Sequence, residues 1–383
     1  MQKYIIDYNE HVEKLAQLND KNYDSKTIEK IKEKLNEYKT RLDVIYEGKN
    51  GKFRFDMIRN GVDDYYLHKK ALYAKGINYA SNAFIKMYEM LYDFAIVPHV
   101  LSELTKHRKP NGDLPKFYSF HNAEFPGSFI MATKKYMEMN YPTTRWKWYA
   151  SSFLDGPLND EYSLYKTNRS QWLMSDDRDE TRGDVTNTSF QLYLQTLLAK
   201  KKIMLYTSDL GFEVSDYNNQ ESIHAHANFG QVISGLLVLA EGGVFITKGY
   251  TIFEPFTISL AALLAGLFDE FYITKPHSSR TLNSETYFYG KGYRPINKVL
   301  QTLLLERLKN FSLTPLLSKE SLGDESYNAI KKAVAQLSST QAVKIEQFTN
   351  FNKQFANVHG KQLTQKINDA IGPRPLPAFL VEL

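Results

Sequence analysis

Three charged residues stand at the ends of short apolar runs that have the composition of buried strands. Asp209 follows the run 202–206, Lys248 ends the run 243–247, and Glu285 opens the run 285–289. Because ligands bind at the carboxyl ends of parallel strands, these charges are expected to meet in one crevice. A helix cap or a surface turn would explain Asp209 alone. Three converging charges are too costly to bury without a purpose, so together they predict a functional site of carboxylates and an amine.

A Pro-Gly turn at 126–127 joins a first predicted strand, 116–120, to a helix at 130–139. Such a turn directs backbone N–H groups and a helix N-terminus into the crevice, where nucleotide-like ligands bind. The spacing is not that of a dinucleotide or P-loop motif. A plain strand-turn-helix connection explains the same residues, so the turn alone does not decide.

The composition excludes several classes of protein. The 383 residues carry 48 Lys+Arg against 43 Asp+Glu, and they include no cysteine. Disulfide frameworks, cysteine-based zinc sites, iron–sulfur clusters and thiol nucleophiles are therefore excluded. The pair His224 and His226 is more typical of a helix than of a metal site, and no metal is expected. The longest apolar run, 257–268, is short of the roughly 20 residues of a membrane span, and no signal peptide is evident. We expect a soluble intracellular protein.

The elements that must position these residues follow from apolar spacing. Strands are predicted at 116–120, 144–152, 202–206 and 243–247, with a closing antiparallel pair at 271–274 and 285–289. An apolar stripe over 25–48 predicts a helix that packs on the rest of the protein, and 77–104 is also helical in character. The predicted fold is α/β, a mostly parallel sheet with helices on both faces. The predicted domains are a helical N-terminal extension at 1–74, the sheet domain at 75–295 and a helical C-terminal extension at 296–383.

Six segments occur in the order expected of one enzyme family. They resemble the FtsJ-like ribose 2′-O-methyltransferases, and within them the Adrift-type branch, which modifies messenger RNA caps in eukaryotes and some large DNA viruses. The resemblance implies a Rossmann-like fold that binds S-adenosylmethionine. Ser128, His121 and Leu210 depart from the family pattern. The segments are Ala123-Glu-Phe-Pro-Gly-Ser-Phe-Ile130, Trp146-Lys-Trp148, Gly183-Asp-Val-Thr186, Ser208-Asp-Leu-Gly-Phe212, Gly242-Gly-Val-Phe-Ile-Thr-Lys248 and Lys275-Pro-His-Ser-Ser-Arg280 with Asn283-Ser-Glu285.

The resemblance also implies a Lys-Asp-Lys-Glu tetrad. Asp209, Lys248 and Glu285 match three members, and Lys86, in Ser81-Asn-Ala-Phe-Ile-Lys86-Met, matches the fourth. A ribose 2′-hydroxyl is a poor nucleophile, so the enzyme must align it with the methyl group and accept its proton. Lys248 is the expected base, aided by like-charge repulsion from Lys86. Asp209 and Glu285 are expected to hold both ammonium groups.

For the cofactor, the resemblance assigns the turn 123–129 to the methionine end and Asp184 to the adenine amino group. A carboxylate that accepts from an exocyclic amine distinguishes adenine by hydrogen bonding. Trp148 is either a wall of the adenosine pocket or an ordinary core tryptophan. The expected cofactor-binding residues are Ala123, Glu124, Phe125, Pro126, Gly127, Ser128, Phe129, Trp148, Asp184 and Asp209.

RNA is the expected partner, with the capped 5′ end of mRNA favoured and neither DNA nor a membrane involved. Basic clusters at 69–70, 106–109, 134–135 and 200–202 offer phosphate contacts, and each is also explained as a solvated face. Tyr65, Tyr66 and Tyr162 are candidates for stacking on 7-methylguanosine.

The alternatives are a ribosomal or transfer-RNA 2′-O-methyltransferase and a non-catalytic RNA-binding subunit of a capping or transcription complex. The expected location is the cytoplasm, a viral factory or virion included, without secretion. Capping or transcription machinery is a further candidate partner.

Overall fold

The computed structural model describes residues 2–5, 26–48, 50–63, 65–107, 116–153, 159–174, 183–280, 282–381 and 383. The strands are β1 (Gln2–Ile5), β2 (Phe117–Asn122), β3 (Trp146–Ala150), β4 (Ile203–Ser208), β5 (Leu239–Gly249), β6 (Phe268–Lys275) and β7 (Thr286–Tyr293). The helices are α1 (Lys26–Glu47), α2 (Gly51–Val62), α3 (Tyr66–Ala74), α4 (Asn82–Asp93), α5 (Ile96–Thr105), α6 (Ser128–Asn140), α7 (Leu164–Thr167), α8 (Thr188–Leu198), α9 (Gln220–Val238), α10 (Pro255–Ala265), α11 (Lys298–Lys309), α12 (Lys319–Leu322), α13 (Asp324–Gln354), α14 (Lys361–Ile371) and α15 (Ala378–Val381).

The strands form one mixed sheet in the order β1-β6-β7-β5-β4-β2-β3. Strands β3, β2, β4 and β5 are parallel neighbours. Strand β7 runs antiparallel to both β5 and β6, so the expected closing antiparallel pair is present. Each predicted strand overlaps one of β2 to β7. The predicted Rossmann-like α/β fold is confirmed.

Helices cover both faces of the sheet. One apolar cluster joins α8 to α11 with one face, and a second joins α4, α5 and α6 with the other. Strand β4 is buried at every position, as expected of a central strand enclosed by two helical layers. Among the described helices, none combines the length and the apolar character needed to cross a membrane.

The N-terminal region is not purely helical, contrary to expectation. Strand β1 pairs antiparallel with β6, with Gln2 opposite Lys275 and Ile5 opposite Tyr272. A strand of four residues carries too little alternation to be read from sequence, and its partner supplies the pairing. The helical stretch 77–104 is likewise divided into α4 and α5, at Ala95, whose φ is 48°.

The two ends of the chain pack against each other and against the sheet. Helix α1 lies against α13, and its stripe residues Ile28 and Leu35 are buried in the cluster that contains α8 to α11. Helix α14 packs on α2 in the same way. These helices therefore brace one side of the domain that carries the site.

Candidate active site

Four elements bring the predicted tetrad to one edge of the sheet. Asp209 directly follows β4, and Lys248 lies near the end of the parallel strand β5. Strand β7 runs the opposite way, so its start, preceded by Glu285, lies at the same edge. Lys86 reaches this edge from α4, whose first turn is capped by the Ser81 hydroxyl accepting from Phe84 N at 3.0 Å.

The four side chains are in direct contact. Lys86 Nζ lies 2.5 Å from Glu285 Oε1 and 3.7 Å from Asp209 Oδ1. Lys248 Nζ lies 3.3 Å from the same Asp209 Oδ1 and donates to the backbone oxygen of Asp209 at 2.8 Å. Two ammonium groups thus share one carboxylate oxygen, and the second carboxylate binds only one of them. The structure brings all four predicted residues together.

Tyr287 is a fifth member that sequence reasoning missed. Lys86 Nζ donates to its hydroxyl at 2.8 Å, and that hydroxyl lies 2.8 Å from Asp209 Oδ1 and 2.7 Å from Glu285 Oε1. A signal was available in the sequence. Residues two apart on a strand share a face, so the tyrosine that follows Glu285 by two positions had to point the same way.

The neighbouring ammonium groups keep the carboxylate of Glu285 ionised although it is buried. Burial opposes ionisation of Glu285, but the ammonium groups of Lys86 and Lys248, with Lys275 behind them, outweigh it and hold the pKa of that carboxyl well below its usual range. Burial, reinforced by Asp209 and Glu285, raises the pKa of Tyr287 well above its ordinary value. The phenol therefore stays protonated and serves as a hydrogen-bond donor.

A buried lysine and a buried glutamate fix the loop that carries Glu285. Lys275 Nζ donates to Asn283 Oδ1 at 2.8 Å and to the backbone oxygen of Glu285 at 2.7 Å. Burial lowers the pKa of Lys275 to about 7. On the other side, Glu89 of α4 accepts from His277 N at 2.7 Å and from Ser278 N at 2.9 Å. The helix that carries Lys86 therefore also holds the Glu285 loop.

A cleft of about 910 Å³ opens beside the tetrad. Among the expected cofactor residues, Ala123, Phe125, Pro126, Asp184 and Asp209 line its wall. Asp209 therefore belongs both to the cleft and to the tetrad. Further residues of the wall were not among the expected cofactor-binding residues, namely Asn122, Ser152, Phe153, Asn159, Glu161, Gly183, Val185, Thr186, Leu210, Gly211, Phe212, Ile223, His226 and Ala227.

The cleft fits S-adenosylmethionine in chemistry as well as size. Asp184 Oδ1 accepts from Thr186 N at 2.8 Å and from Thr186 Oγ1 at 2.7 Å, which leaves Oδ2 for an amino group of a ligand. Gly183 has φ of 81°, and a Cβ there would lie 2.2 Å from Ser152 O. Only glycine at position 183 therefore allows the two backbone segments of this wall to lie so close together.

Four of the expected cofactor residues instead build or support the turn. Glu124 is buried, and its Oε1 accepts from Phe129 N at 2.7 Å and from Ile130 N at 3.0 Å, so it holds the start of α6. Gly127 supplies the turn with φ of 120°. Ser128 Oγ lies 2.9 Å from Ser81 Oγ. None of these residues is on the wall of the cleft.

Trp148 belongs to a separate apolar cluster. Its ring meets Trp172 edge-on, with 6.0 Å between centroids, and the cluster also contains Ile130 and Leu164. The structure favours the interpretation of Trp148 as a core residue over its interpretation as a wall of the adenosine pocket, because it is absent from the cleft wall. His121, which departs from the family pattern, is buried too. It links β2 to β4 through contacts with Ser119 Oγ at 2.8 Å and Thr207 Oγ1 at 2.7 Å.

The two histidines of α9 point to different partners. His224 Nδ1 lies 2.9 Å from Gln220 O, whereas His226 Nε2 lies 3.0 Å from Leu308 O. Over the part of the chain that the structure describes, no group of three or more metal-ligating side chains is found. Phe212 stacks on His224 with 4.0 Å between centroids, which places an aromatic ring at the mouth of the cleft.

Comparison with known proteins gives consistent matches. A family model described as FtsJ-like methyltransferase matches residues 79–293. The chain is 34% identical over 356 residues to the probable methyltransferase EP424R of African swine fever virus, covering 89% of this chain and 78% of that protein. It is 27% identical over 242 residues to cap-specific mRNA (nucleoside-2'-O-)-methyltransferase 2 of Pongo abelii, covering 59% of this chain and 29% of that protein.

Among solved structures, a putative ribosomal RNA methyltransferase from Plasmodium falciparum aligns with a TM-score of 0.33 at 16% identity, covering 51% of this chain and 98% of that one. The methyl donor of FtsJ-like enzymes is S-adenosylmethionine, in agreement with the predicted cofactor. On the family match and on the viral relative, the chain belongs to the FtsJ-like methyltransferase family.

Proposed function

We propose that this methyltransferase transfers a methyl group to a ribose 2′-hydroxyl of RNA, at a cap-proximal nucleotide of mRNA. The observation that carries the proposal is the position of Asp209. Its side chain lines the cofactor cleft, and one of its carboxylate oxygens lies within 3.7 Å of both lysines. A site that joins a cleft for a methyl donor to a lysine-carboxylate network suits deprotonation of a weakly acidic alcohol.

The roles proposed for the residues follow from their contacts. When bound, S-adenosylmethionine supplies an electrophilic methyl group on a positive sulfonium. Lys248 Nζ accepts the proton of the ribose hydroxyl, and Asp209 fixes that nitrogen at the mouth of the cleft. Lys86, held by Glu285, contacts the same Asp209 oxygen as Lys248.

The cofactor is proposed to lie along the cleft wall. Asp184 Oδ2 would accept from the adenine amino group, and Ala123, Phe125 and Pro126 with Asp209 would hold the methionine end. Water has limited access to the tetrad, because the exposed fraction of its side chains is only 7–17%. Exclusion of water strengthens each electrostatic contact in the site.

The proposal that the substrate is RNA, and capped mRNA in particular, is supported by the relatives and by aromatic residues at the mouth of the cleft. Phe153 and Phe212 line the cleft and are exposed to 56% and 50%, so both rings are available for stacking on bases. Of the predicted cap-stacking candidates, Tyr65 is not available. It is buried and its ring lies against Phe379, with 6.2 Å between centroids. Localisation in the cytoplasm stays a prediction.

The test is methyl transfer from labelled S-adenosylmethionine to three short RNAs that share one sequence. Their 5′ ends carry a 7-methylguanosine cap, an unmethylated cap or a triphosphate, and the modified nucleotide is mapped. Label on the first or second ribose, dependent on the cap, is the expected result. Label that ignores the cap would assign the enzyme to a structural RNA. The absence of label, with cofactor binding intact, would contradict the proposal as a whole.

A further inference from the structure

We infer that Arg59, Lys69 and Arg280 form a binding site for a phosphate group of the RNA substrate, and we call these three residues the cationic cluster. The inference rests on the proposed function, because it requires that the substrate be RNA. Arg59 and Lys69 lie outside the region that matches the family model, which begins at residue 79. The N-terminal helices would thus contribute to substrate binding.

The fold places the cationic cluster beside the tetrad. Arg280 lies in the loop between β6 and β7 that delivers Glu285, while Arg59 is on α2 and Lys69 is on α3. A small cavity is lined by Arg59 and Arg280 together. Lys69 Nζ donates to Asn82 Oδ1 at 3.0 Å, at the first residue of α4. Lys86 follows one helical turn later, about 6 Å along the axis.

Both guanidinium groups of the cationic cluster have a buried Nε without a hydrogen-bond partner. Within the described residues, the guanidinium of Arg280 makes no hydrogen bond and no ion pair, and its Nε is buried. Arg59 Nε is buried without a partner too, although Arg59 Nη2 pairs with Asp56 at 2.7 Å. Removing a guanidinium N–H from water without an acceptor is costly, so such groups point to a ligand.

Two neighbouring carboxylates offset part of the charge of the cluster. Asp56 pairs with Arg59, and Asp63, whose Oδ1 accepts from Tyr65 N at 3.0 Å, lines the cavity and attracts both Lys69 and Arg280. Burial, followed by repulsion from Arg280, lowers the pKa of Lys69. Burial, followed by repulsion from Arg59, lowers the pKa of Arg280. Arg59 and Arg280 therefore repel each other at the cavity that both of them line, and Lys69 is close enough to Arg280 to be repelled by it. A bound anion would relieve that repulsion.

The chemistry of the cluster selects phosphate. Arginine presents a planar fork of N–H donors that matches two oxygens of a phosphate, and lysine adds a point charge. The substrate offers two sources of such a group, the internucleotide phosphates and the triphosphate bridge of a capped 5′ end. Either would lie next to a ribose that is presented to Lys248.

The experiment measures RNA affinity against KCl concentration for the full chain. Arg59→Gln, Lys69→Gln and Arg280→Gln are compared with the wild type and with Lys298→Gln, an exposed lysine on α11 whose Nζ contacts Gln301. The probes are one RNA sequence with a 7-methylguanosine cap and the same sequence with a 5′-hydroxyl. Each cluster variant is expected to weaken binding several-fold and to reduce the slope of log Kd against log[KCl] by about 0.7.

The two RNAs distinguish the source of the phosphate. Loss of slope with both RNAs assigns the cluster to internucleotide phosphates, and loss with the capped RNA alone assigns it to the triphosphate bridge. If the cluster variants keep the slope of Lys298→Gln with both RNAs, the inference is wrong.

Two further measurements separate this inference from the proposed function and from misfolding. Unchanged affinity for S-adenosylmethionine shows that a variant is folded, and Arg280→Lys should recover part of the slope because it restores the charge. A wild-type enzyme that methylates RNA while the cluster variants bind it normally would overturn the phosphate site alone. A wild-type enzyme that neither binds nor methylates RNA would overturn both.

Discussion

Lys248 contacts Asp209 at two points. Its Nζ donates to the backbone oxygen of Asp209 at 2.8 Å and lies 3.3 Å from Oδ1 of the same residue. The backbone contact fixes the nitrogen even when the carboxylate turns toward Lys86. The backbone at the end of β4 thus positions the proposed base, Lys248, directly. A change in the rotamer of Asp209 would leave this backbone contact intact.

Replacement of the proposed base should separate chemistry from binding. Lys248→Met keeps the unbranched side chain as far as Cε and removes the nitrogen, so we expect methyl transfer to fall by at least about 100-fold. Affinity for S-adenosylmethionine, measured by calorimetry, should change little, because Lys248 is not on the wall of the cofactor cleft. Lys298→Met is the matched control. Transfer by Lys248→Met at the rate of the control would refute the assignment of the base.

The hydroxyl of Tyr287 should matter more than that of its neighbour on the strand. Tyr287→Phe removes the group that joins Lys86 to both carboxylates, and we expect a loss of roughly 10-fold in the rate of transfer at saturating cofactor. Tyr289→Phe is the matched control, since its buried hydroxyl has no partner among the described residues. Equal rates for the two variants would show that the Tyr287 hydroxyl only fills space.

The pairing of Glu285 predicts a dependence of stability on pH. Its pKa in the folded protein lies below the ordinary value of 4.5, so its ionised form stabilises the fold at neutral pH, and that contribution is lost as pH falls below about 4.5. Glu285→Gln should therefore be less stable than the wild type at pH 7, by roughly 3 kcal/mol, and the difference should shrink in acid. Chemical unfolding at several pH values measures it. A constant difference from pH 7 to pH 3 would contradict the predicted linkage.

Asp184 should decide which base the cofactor carries. Because Oδ1 is occupied by Thr186, Asp184→Asn turns its amide NH2 toward the cleft, where a donor replaces an acceptor. We expect affinity for S-adenosylhomocysteine to fall about 10-fold or more, and affinity for the inosine analogue, with a carbonyl in place of the amino group, to rise. The exposed Asp269→Asn serves as control. A parallel loss for both ligands would argue against recognition of the adenine amino group.

The part of the site that sequence could predict is the part fixed by strand ends. Asp209, Lys248 and Glu285 each adjoin a strand whose apolar run is local, and their common edge follows from the direction of the strands. The presence of Tyr287 in the site could also have been predicted, because it lies two positions after Glu285 on the same strand. Lys86 was predicted only from the family resemblance, because it lies on a helix and the direction of the strands does not indicate its position.

The remainder depends on long-range packing that no local pattern encodes. Tyr65 and Tyr162 look alike in sequence, yet only packing on Phe379 makes the first unavailable to a ligand. The meeting of Lys69 and Arg280, more than 200 positions apart, requires the N-terminal helices to fold onto the loop after β6. Strand β1 is similar, since its four residues acquire their conformation from β6.

The loop that carries Glu285 receives hydrogen bonds from far along the chain. Gln341 Nε2 of α13 donates to Leu282 O at 2.8 Å, across 59 positions. At 5–20 residues per second of synthesis, roughly 3 to 12 s separate the emergence of these two residues from a ribosome. During that interval Lys275 and Glu89 can already hold the loop, while its hydrogen bond to α13 is still missing. Helix α13 is thus the last of these supports that the Glu285 loop receives during synthesis.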